Sequence, residues 1–415
     1  MRNAPVGRAA LPLLLAALAG CQSGGGAATD AKQPKPTGTP VYEVRLDDQL
    51  QAASKATTAS GSSAFTWTLS YGSAKGTAVD RTTGTQDYAK KTARAERTVT
   101  VPRRFPEDAA GDLGGTPGGP GAPGTYLVDG NDVTYETRKG DWLRYSASAP
   151  KEMVDFYDGV LQYAGDAAPY GRTLAEVVRH ADAQKQPAKG ADGSRTYTLS
   201  VPPQTAAAAL PVRLENALLY NDDAERVPLT VVLDGEGRLT SATADYTPAL
   251  KALHDAGRLK GVTSLKAEYR LTRLGAAPVP APPAAAKAAA DAEKAVTPLA
   301  QVAPGACGSA DTGLGGSLQV VRVVPCGAGA DLRVFGQVKI KEKLRGQQDP
   351  DALATRKARD KCERAYGAAP KSWTADGRPA GGFYTYGSAA NSYAYVGPDV
   401  DVDGTFTCYV RTSRD

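Results

Sequence analysis

The chain has 415 residues, enough for two or three domains, and its 49 Lys and Arg against 44 Asp and Glu give a formal net charge of +5. This balance is close to neutral and lacks the clustered basic footprint of nucleic-acid-binding proteins, so we predict no nucleic-acid partner. Glycine (45) and proline (29) are frequent, and they concentrate in segments that mark boundaries along the chain.

The N-terminus has the layout of a secretory signal peptide. Arg2 and Arg8 give a positive start, and the apolar run Leu11–Leu18 is too short to span a bilayer. The stretch LAGC, which ends at Cys21, resembles the bacterial lipobox, in which the cysteine receives diacylglycerol before cleavage. We therefore predict a lipoprotein signal peptide over residues 1–20 and lipidation of Cys21; an ordinary secretory signal with a coincidental cysteine is the alternative.

Residues 21–40 are predicted to be the lipidated cysteine and a flexible tether. The stretch QSGGGAATDAKQPKPTGTP cannot bury enough apolar surface to offset the entropy of ordering. Two or more acyl chains give stable anchoring. The rest of the chain is then expected at the extracellular face of the cell membrane, lipid-anchored, with a charge that falls from +5 to +3 because Arg2 and Arg8 are lost.

Residues 41–274 are predicted to form an α+β domain built on one antiparallel sheet. A helix with Leu46 and Leu50 at helical spacing comes first, and the strand FTWTLSY then alternates strictly. TYTLSV and TSLKAEYRLTRL alternate in the same way. One-sided alternation is typical of an antiparallel sheet that is covered on one face, here by a few helices.

The remaining chain is predicted to be a linker and a second, smaller domain. Residues 275–298 are rich in Pro and Ala, which suits an extended segment followed by a short helix. Residues 299–415 read as a small α+β unit that holds the other four cysteines. An even set in an exported unit indicates two disulfides, and zinc is the alternative. Four cysteines allow three connectivities; we predict Cys307–Cys326 and Cys362–Cys408.

Catalytic and metal-binding patterns are weak. The two histidines, His180 and His254, lie in helical patterns without a partner at ligand spacing, so we predict no enzyme and no cofactor. The stretch D-x-D-x-D-G from Asp399, with Asp401 and Asp403, opens like a calcium loop, but its twelfth position is Val410. An acidic hairpin turn is the simpler interpretation, and a weak extracellular calcium site the alternative.

The first domain resembles the LolA-like half-barrel, and in particular the LppX/LprG-type lipoproteins of actinobacteria, over residues 41–274. The resemblance rests on a hairpin with Lys139, Gly140 and Trp142, and on a second hairpin, VPLTVVLDGEGR, from Val227 to Arg238. It implies a curved sheet with packed helices and an apolar cavity that holds acyl chains, without catalytic residues. The candidate lining residues are Phe65, Trp67, Leu69, Tyr71, Tyr135, Trp142, Tyr197 and Leu199.

The second domain resembles the actinobacterial septum formation family. Gly305-Ala-Cys307, a strand that ends at Cys326, a helix with Cys362 and a G-T-F-T-C stretch that ends at Cys408 carry the resemblance. No biochemical activity comes with it.

The sequence thus predicts a membrane-anchored extracellular lipoprotein that is non-catalytic and binds an apolar or lipid ligand in its sheet domain. The alternative is a cell-envelope module that contacts protein or cell-wall partners in division. A closed apolar void of several hundred Å³ would favour the lipid ligand. A packed interior would favour the interaction module.

Overall fold

The computed structural model describes most of residues 40–412. It leaves out residues 1–39, 114–116, 119–123, 149–150, 167–171, 220, 222–223, 315–318, 328, 346–349, 375–381, 388–390, 397–398 and 413–415. The described residues belong to one compact unit, Gly38–Asp415. The predicted signal peptide, Cys21 and most of the tether therefore lie outside the described residues. Among the residues that are described, no helix is both long enough and apolar enough to cross a membrane.

The first sheet has 12 strands in the order β12-β6-β5-β4-β3-β2-β1-β11-β10-β9-β8-β7. All neighbours pair antiparallel except β12, which runs parallel to β6. The strands are β1 Ser62–Ser73, β2 Gly76–Asp87, β3 Thr92–Thr100, β4 Gly124–Asp129, β5 Asp132–Glu136, β6 Trp142–Ser146, β7 Ala188–Lys189, β8 Arg195–Val201, β9 Val227–Leu233, β10 Leu239–Asp245, β11 Val262–Thr272 and β12 Ala290–Asp291.

Seven helices cover one face of this sheet, because each contributes side chains to the same core. They are α1 Gln49–Ala59, α2 Glu107–Asp112, α3 Lys151–Leu161, α4 Leu174–Arg179, α5 Pro203–Ala207, α6 Val212–Leu219 and α7 Leu250–Asp255. Short 3-10 helices occupy Val41–Glu43, Leu46–Asp48 and Thr247–Ala249. We call the covered face the inner face; the opposite one is the outer face.

Strand β1 shows why the inner face forms. Its residues alternate between buried and partly exposed along nearly the whole strand, as the period of two in FTWTLSY predicts. The strand lies in the middle of the sheet, between β2 and β11. Burying one large apolar side chain contributes about 1.5–3 kcal/mol, so a slip of one residue, which would expose four of them, is strongly disfavoured.

The second sheet has seven strands around the long antiparallel partners β16 and β19, in the order β13-β15-β14-β16-β19-β17, with β18 also paired to β19. The strands are β13 Thr297–Pro298, β14 Cys307–Ser309, β15 Val320–Val324, β16 Leu332–Arg345, β17 Tyr384–Gly387, β18 Ser392–Val396 and β19 Asp399–Arg411. The helices of this part are α9 Pro350–Ala368 and α10 Lys371–Thr374, with a 3-10 helix at Leu299–Gln301.

The two predicted disulfides are present. Cys307 on β14 bonds Cys326, and Cys362 on α9 bonds Cys408 on β19. The second bond fixes α9 against the sheet, where Cys362, Cys408 and Val410 share a small apolar cluster with Phe335. The α+β class, with a large curved sheet, helices and a disulfide-bonded C-terminal part, is therefore confirmed, and the first sheet is open because β12 and β7 are its two edges.

The segment predicted as a linker, 275–298, lies against the first sheet. It contains a 3-10 helix, Ala284–Ala288, then β12, and then α8, Ala292–Ala295. Ala286 and Ala289 cover Trp142 and Leu127 on the outer face. The domain limits 41–274 and 299–415 remain predictions.

Candidate functional site

The four aromatic and aliphatic residues of β1 lie together on the inner face. Phe65, Trp67, Leu69 and Tyr71 are all nearly fully buried in the main core. The rings of Phe65 and Trp67 each lie 6.2 Å from the ring of Tyr269 on β11. In the described form these side chains pack against one another and against the helices.

The other four candidate residues do not all share this place. Tyr197 is buried on β8 and donates a hydrogen bond to Gln49 Oε1 at 2.6 Å, while Leu199 packs at the edge of the same core. Tyr135 is on the inner face of β5, with its ring 5.0 Å from that of Tyr126. Trp142 lies on the outer face instead, beneath the 275–298 segment. The alternation of β6 explains this difference, because Leu143 and Tyr145 take the inner positions.

Strand β2 brings polar groups to the centre of the inner face. Its buried positions are Ala78, Asp80, Thr82 and Gln86, which are small or polar. Because no large apolar side chain occupies these positions, the stretch GTAVDRTTGTQD lacks the alternation of apolar and polar residues that is typical of a half-buried strand. This strand was not predicted from the sequence, although the alternation of small and polar residues is a signal that could have indicated it.

A buried ion pair is the main polar feature there. Arg97 on β3 donates two hydrogen bonds to Asp80, at 2.8 and 2.7 Å, and both side chains are less than one-tenth exposed. The guanidinium lies 3.9 Å from the centre of the Tyr163 ring. Burial opposes the charge on Arg97, but the Asp80 carboxylate outweighs it, so the pKa of Arg97 is raised. The pair therefore stays ionised inside the core.

Two hydroxyls beside this pair have no hydrogen-bond partner among the described residues: Tyr71 Oη and Thr82 Oγ1. Tyr71 is fully buried, and burial, followed by the charge of Asp80, raises the pKa of its phenol. Thr82 is paired across the sheet with Arg97. A buried hydroxyl left unbonded costs about 1–3 kcal/mol, so each needs a physical reason.

A second buried polar network joins the loop after α3 to the sheet. Asp166 accepts hydrogen bonds from Thr173 at 2.6 Å and from the Tyr269 hydroxyl, and its own amide donates to Gln86 at 2.6 Å. Gln86 also donates to Ser63 at 3.0 Å. Burial raises the pKa of Asp166 to about 6, although the bonds from Thr173 and Tyr269 oppose the increase. This carboxyl therefore holds its proton to a higher pH than an exposed aspartate does.

Other candidate chemistry does not gather into a site. His180 is exposed at the end of α4, with Glu176 3.1 Å away, and His254 is half-buried on α7. Asp399, Asp401 and Asp403 lie within β19. The predicted acidic hairpin turn at these residues was therefore wrong. Lys341 and Lys343 on β16 form ion pairs with Asp403 and Asp399 at 3.3 Å. Within the described part of the chain, no group of three or more His, Cys, Asp or Glu could hold a metal.

Neither a family model nor a curated protein sequence matches this chain. Among solved structures, the chain is similar to LprF from Mycobacterium bovis, at 17% identity and a TM-score of 0.32, over 59% of this chain and 99% of that one. It is also similar to the MucA/MucB complex of Pseudomonas aeruginosa, at 12% identity and a TM-score of 0.24, over 88% and 93% of the two chains. A DUF1329 family protein from Desulfovibrio piger gives 12% identity and a TM-score of 0.21, over 55% and 92%.

The resemblance of residues 41–274 to the LppX/LprG-type lipoproteins was predicted from the sequence, and LprF is among the similar solved structures. Because every one of these TM-scores is below 0.5, the similarities carry no further argument. They say nothing about a ligand, a partner or a membrane anchor, and the resemblance of the C-terminal part to the septum formation family stays a prediction.

Proposed function

We propose that this protein is a non-catalytic lipoprotein, anchored through Cys21 at the extracellular face of the cell membrane, that binds a lipid on the inner face of its first sheet. The observation that supports the ligand is the pair of buried, unbonded hydroxyls, Tyr71 Oη and Thr82 Oγ1, which lie beside the Asp80–Arg97 ion pair among the apolar side chains of the inner face. An acyl lipid with an ester or hydroxyl group matches both properties of this surface. Its chain would replace apolar contacts, and its oxygens would bond the two hydroxyls.

The mechanism would be sequestration and release of the lipid. The inner-face side chains are packed in the described form, so the lipid enters only when helices separate from the sheet. Short helices make this separation less costly, since α4, α5 and α7 have six residues or fewer and each buries only a few side chains. Apolar area dominates the affinity of such sites, and a few polar groups set orientation.

Extraction of the purified protein tests this proposal. The full chain is isolated from membranes in a mild detergent, and its bound lipid is extracted and quantified by mass spectrometry. We expect about one lipid per protein in the wild type and a several-fold loss in Tyr71→Phe. Tyr246→Phe is the matched control, because Tyr246 is equally buried but already donates to the Ala206 carbonyl at 2.6 Å.

Two results would contradict the proposal. A wild-type protein that carries no lipid above the level of a detergent-purified control protein would remove the ligand and favour an envelope interaction module. Equal lipid retention by Tyr71→Phe and wild type would remove the role of the Tyr71 hydroxyl.

A further inference from the structure

A polar cavity of about 270 Å³ lies at the end of β6, away from the inner-face hydroxyls. Strands β5 and β6, helix α3 and the 275–298 segment each contribute to its wall. The lining residues are Asp132, Arg144, Tyr145, Ser146, Ser148, Tyr157, Asp291, Ala292 and Glu293. This volume suits a small molecule rather than a drug-sized one.

The charges of the lining are unequal. Asp291 is already neutralised, because Arg144 and Lys294 both form ion pairs with it. Asp132 and Glu293 have no ion-pair partner among the described residues. Two cations, Arg144 and Lys294, face three carboxylates around the cavity, so its surroundings keep one net negative charge, which attracts a positive charge.

A buried hydroxyl completes the set. Tyr157 on α3 is 5% exposed, and its Oη has no hydrogen-bond partner in the described part of the chain. Burial, followed by the charges of Asp158 and Asp132, raises the pKa of Tyr157 to about 12. The phenol thus stays neutral at physiological pH, and its oxygen can accept a hydrogen bond from a ligand.

We infer that this cavity binds a small organic cation with an ammonium or guanidinium group. Asp132 and Glu293 face the positive charge, and the Tyr157 oxygen accepts one of its N–H bonds. Such a group supplies several donors and no acceptor, which matches a wall whose unsatisfied groups are two carboxylates and a phenol. A free amine and the headgroup of an amine-bearing lipid share this chemistry.

The 275–298 segment gains a role from this inference. The parallel pairing of β12 with β6 sets Ala290 opposite Leu143 and Asp291 opposite Arg144. The Arg144–Asp291 ion pair strengthens the same contact. This pairing places Glu293 in the cavity wall, although Glu293 lies about 150 residues after β6 in the chain. The site exists only while this segment is held against the sheet.

Calorimetric titration of the full chain in detergent, with agmatine and with ethanolamine as probes, tests the inference. We expect saturable binding that weakens as salt rises, since the attraction is between charges near the surface. Glu293→Gln and Asp132→Asn should each weaken binding about 5-fold or more, and Tyr157→Phe about 3-fold or more. Glu96→Gln and Asp182→Asn remove the same charges from exposed positions outside the cavity and should leave binding unchanged.

Vesicles of phosphatidylcholine with or without phosphatidylethanolamine identify the source of the amine. If only the vesicles that contain phosphatidylethanolamine compete with agmatine, the ligand is a lipid headgroup. If neither kind of vesicle competes, the ligand is a free amine. Glu293 is exposed, so Glu293→Gln keeps the fold even where Asp132→Asn disturbs the β4–β5 hairpin. No heat with either probe at millimolar concentration, or an equal loss in Glu96→Gln, would overturn the inference.

Discussion

Tyr71 and Tyr246 show how two equally buried tyrosines differ in what their hydroxyls do. The hydroxyl of Tyr246 is bonded to a backbone carbonyl, whereas that of Tyr71 lies beside an ion pair without a bond of its own. Removing a bonded hydroxyl leaves its partner unsatisfied, while removing an unbonded one relieves a desolvation cost. The two changes to phenylalanine should therefore have opposite signs.

In the delipidated protein, we predict that Tyr71→Phe leaves the free energy of unfolding unchanged or raises it by up to about 1 kcal/mol. Tyr246→Phe should lower it by about 1–1.5 kcal/mol. Urea unfolding followed by circular dichroism measures both. A loss of stability in Tyr71→Phe as large as that in Tyr246→Phe would show that the Tyr71 hydroxyl has a partner in the folded chain.

Asp166 predicts a pH dependence of stability. Its pKa is about 6 in the folded chain and returns towards 3.8 on unfolding, so the folded state holds the proton more tightly between these values. The free energy of unfolding should fall by about 2 kcal/mol on this account as pH rises from 4 to 7. Asp166→Asn removes this pH-dependent contribution. The free energy of unfolding of the variant, relative to that of the wild type, should therefore increase as pH rises from 4 to 7.

The measurement is urea unfolding of both proteins at pH 4, 5, 6 and 7. The exposed Asp182 supplies the control, since Asp182→Asn should give a curve parallel to that of the wild type. Parallel curves for Asp166→Asn and wild type would mean that Asp166 titrates alike in the folded and unfolded chains.

Individual elements were predictable from the sequence where large apolar side chains alternate. Strands β1, β8 and β11 were found in this way, because a period of two with aromatic residues is distinctive. Strand β2 was missed because its inner positions are small or polar. At Gly84 the reason for a small residue is steric. A Cβ at Gly84 would lie 2.4 Å from the Arg94 carbonyl oxygen and 2.8 Å from the Phe65 ring.

The place of Trp142 shows a second limit at this scale. Alternation assigns residues of one strand to two faces but does not say which face the helices cover. On β6 both faces are buried, one by the core and the other by Ala286 and Ala289. The apolar character of Trp142 was therefore compatible with either face.

The two disulfides are expected to contribute different amounts to the free energy of unfolding. Cys362 and Cys408 are 46 residues apart, and Cys307 and Cys326 are 19 apart. A longer closed loop loses more entropy in the unfolded chain, which gives about 4 kcal/mol for the first bond and about 3 for the second. We expect the double change Cys362→Ala with Cys408→Ala to lower the melting temperature more than Cys307→Ala with Cys326→Ala.

Differential scanning calorimetry of the two double variants and the wild type compares these values. The opposite order would show that the contacts of Cys307 and Cys326 outweigh the loop entropy.

At the scale of the whole molecule, the first sheet touches the C-terminal part through its inner-face tyrosines. Tyr135 donates to Asp311 at 2.7 Å, and Tyr126 donates to the Gly313 carbonyl at 2.8 Å. Arg138 adds a backbone hydrogen bond to the other Asp311 oxygen, also at 2.7 Å. These contacts could not be read from the sequence, since they join residues more than 170 positions apart.

The anchor gives a prediction of its own. Cys21→Ser removes the only acceptor for the predicted lipid, so the chain should move from the membrane fraction to the soluble fraction of the cell envelope or the medium. Fractionation and immunoblotting measure the shift, and Cys307→Ser with Cys326→Ser serves as the control for loss of cysteine side chains elsewhere. Retention of Cys21→Ser in the membrane fraction would contradict the lipid anchor.

A crystal structure of the protein purified from membranes tests the proposed lipid site most directly. We predict electron density for one acyl chain on the inner face, with an oxygen of the ligand about 2.7–3.2 Å from Tyr71 Oη or Thr82 Oγ1. An inner face filled by protein side chains alone, with both hydroxyls bonded to ordered water, would contradict the proposal.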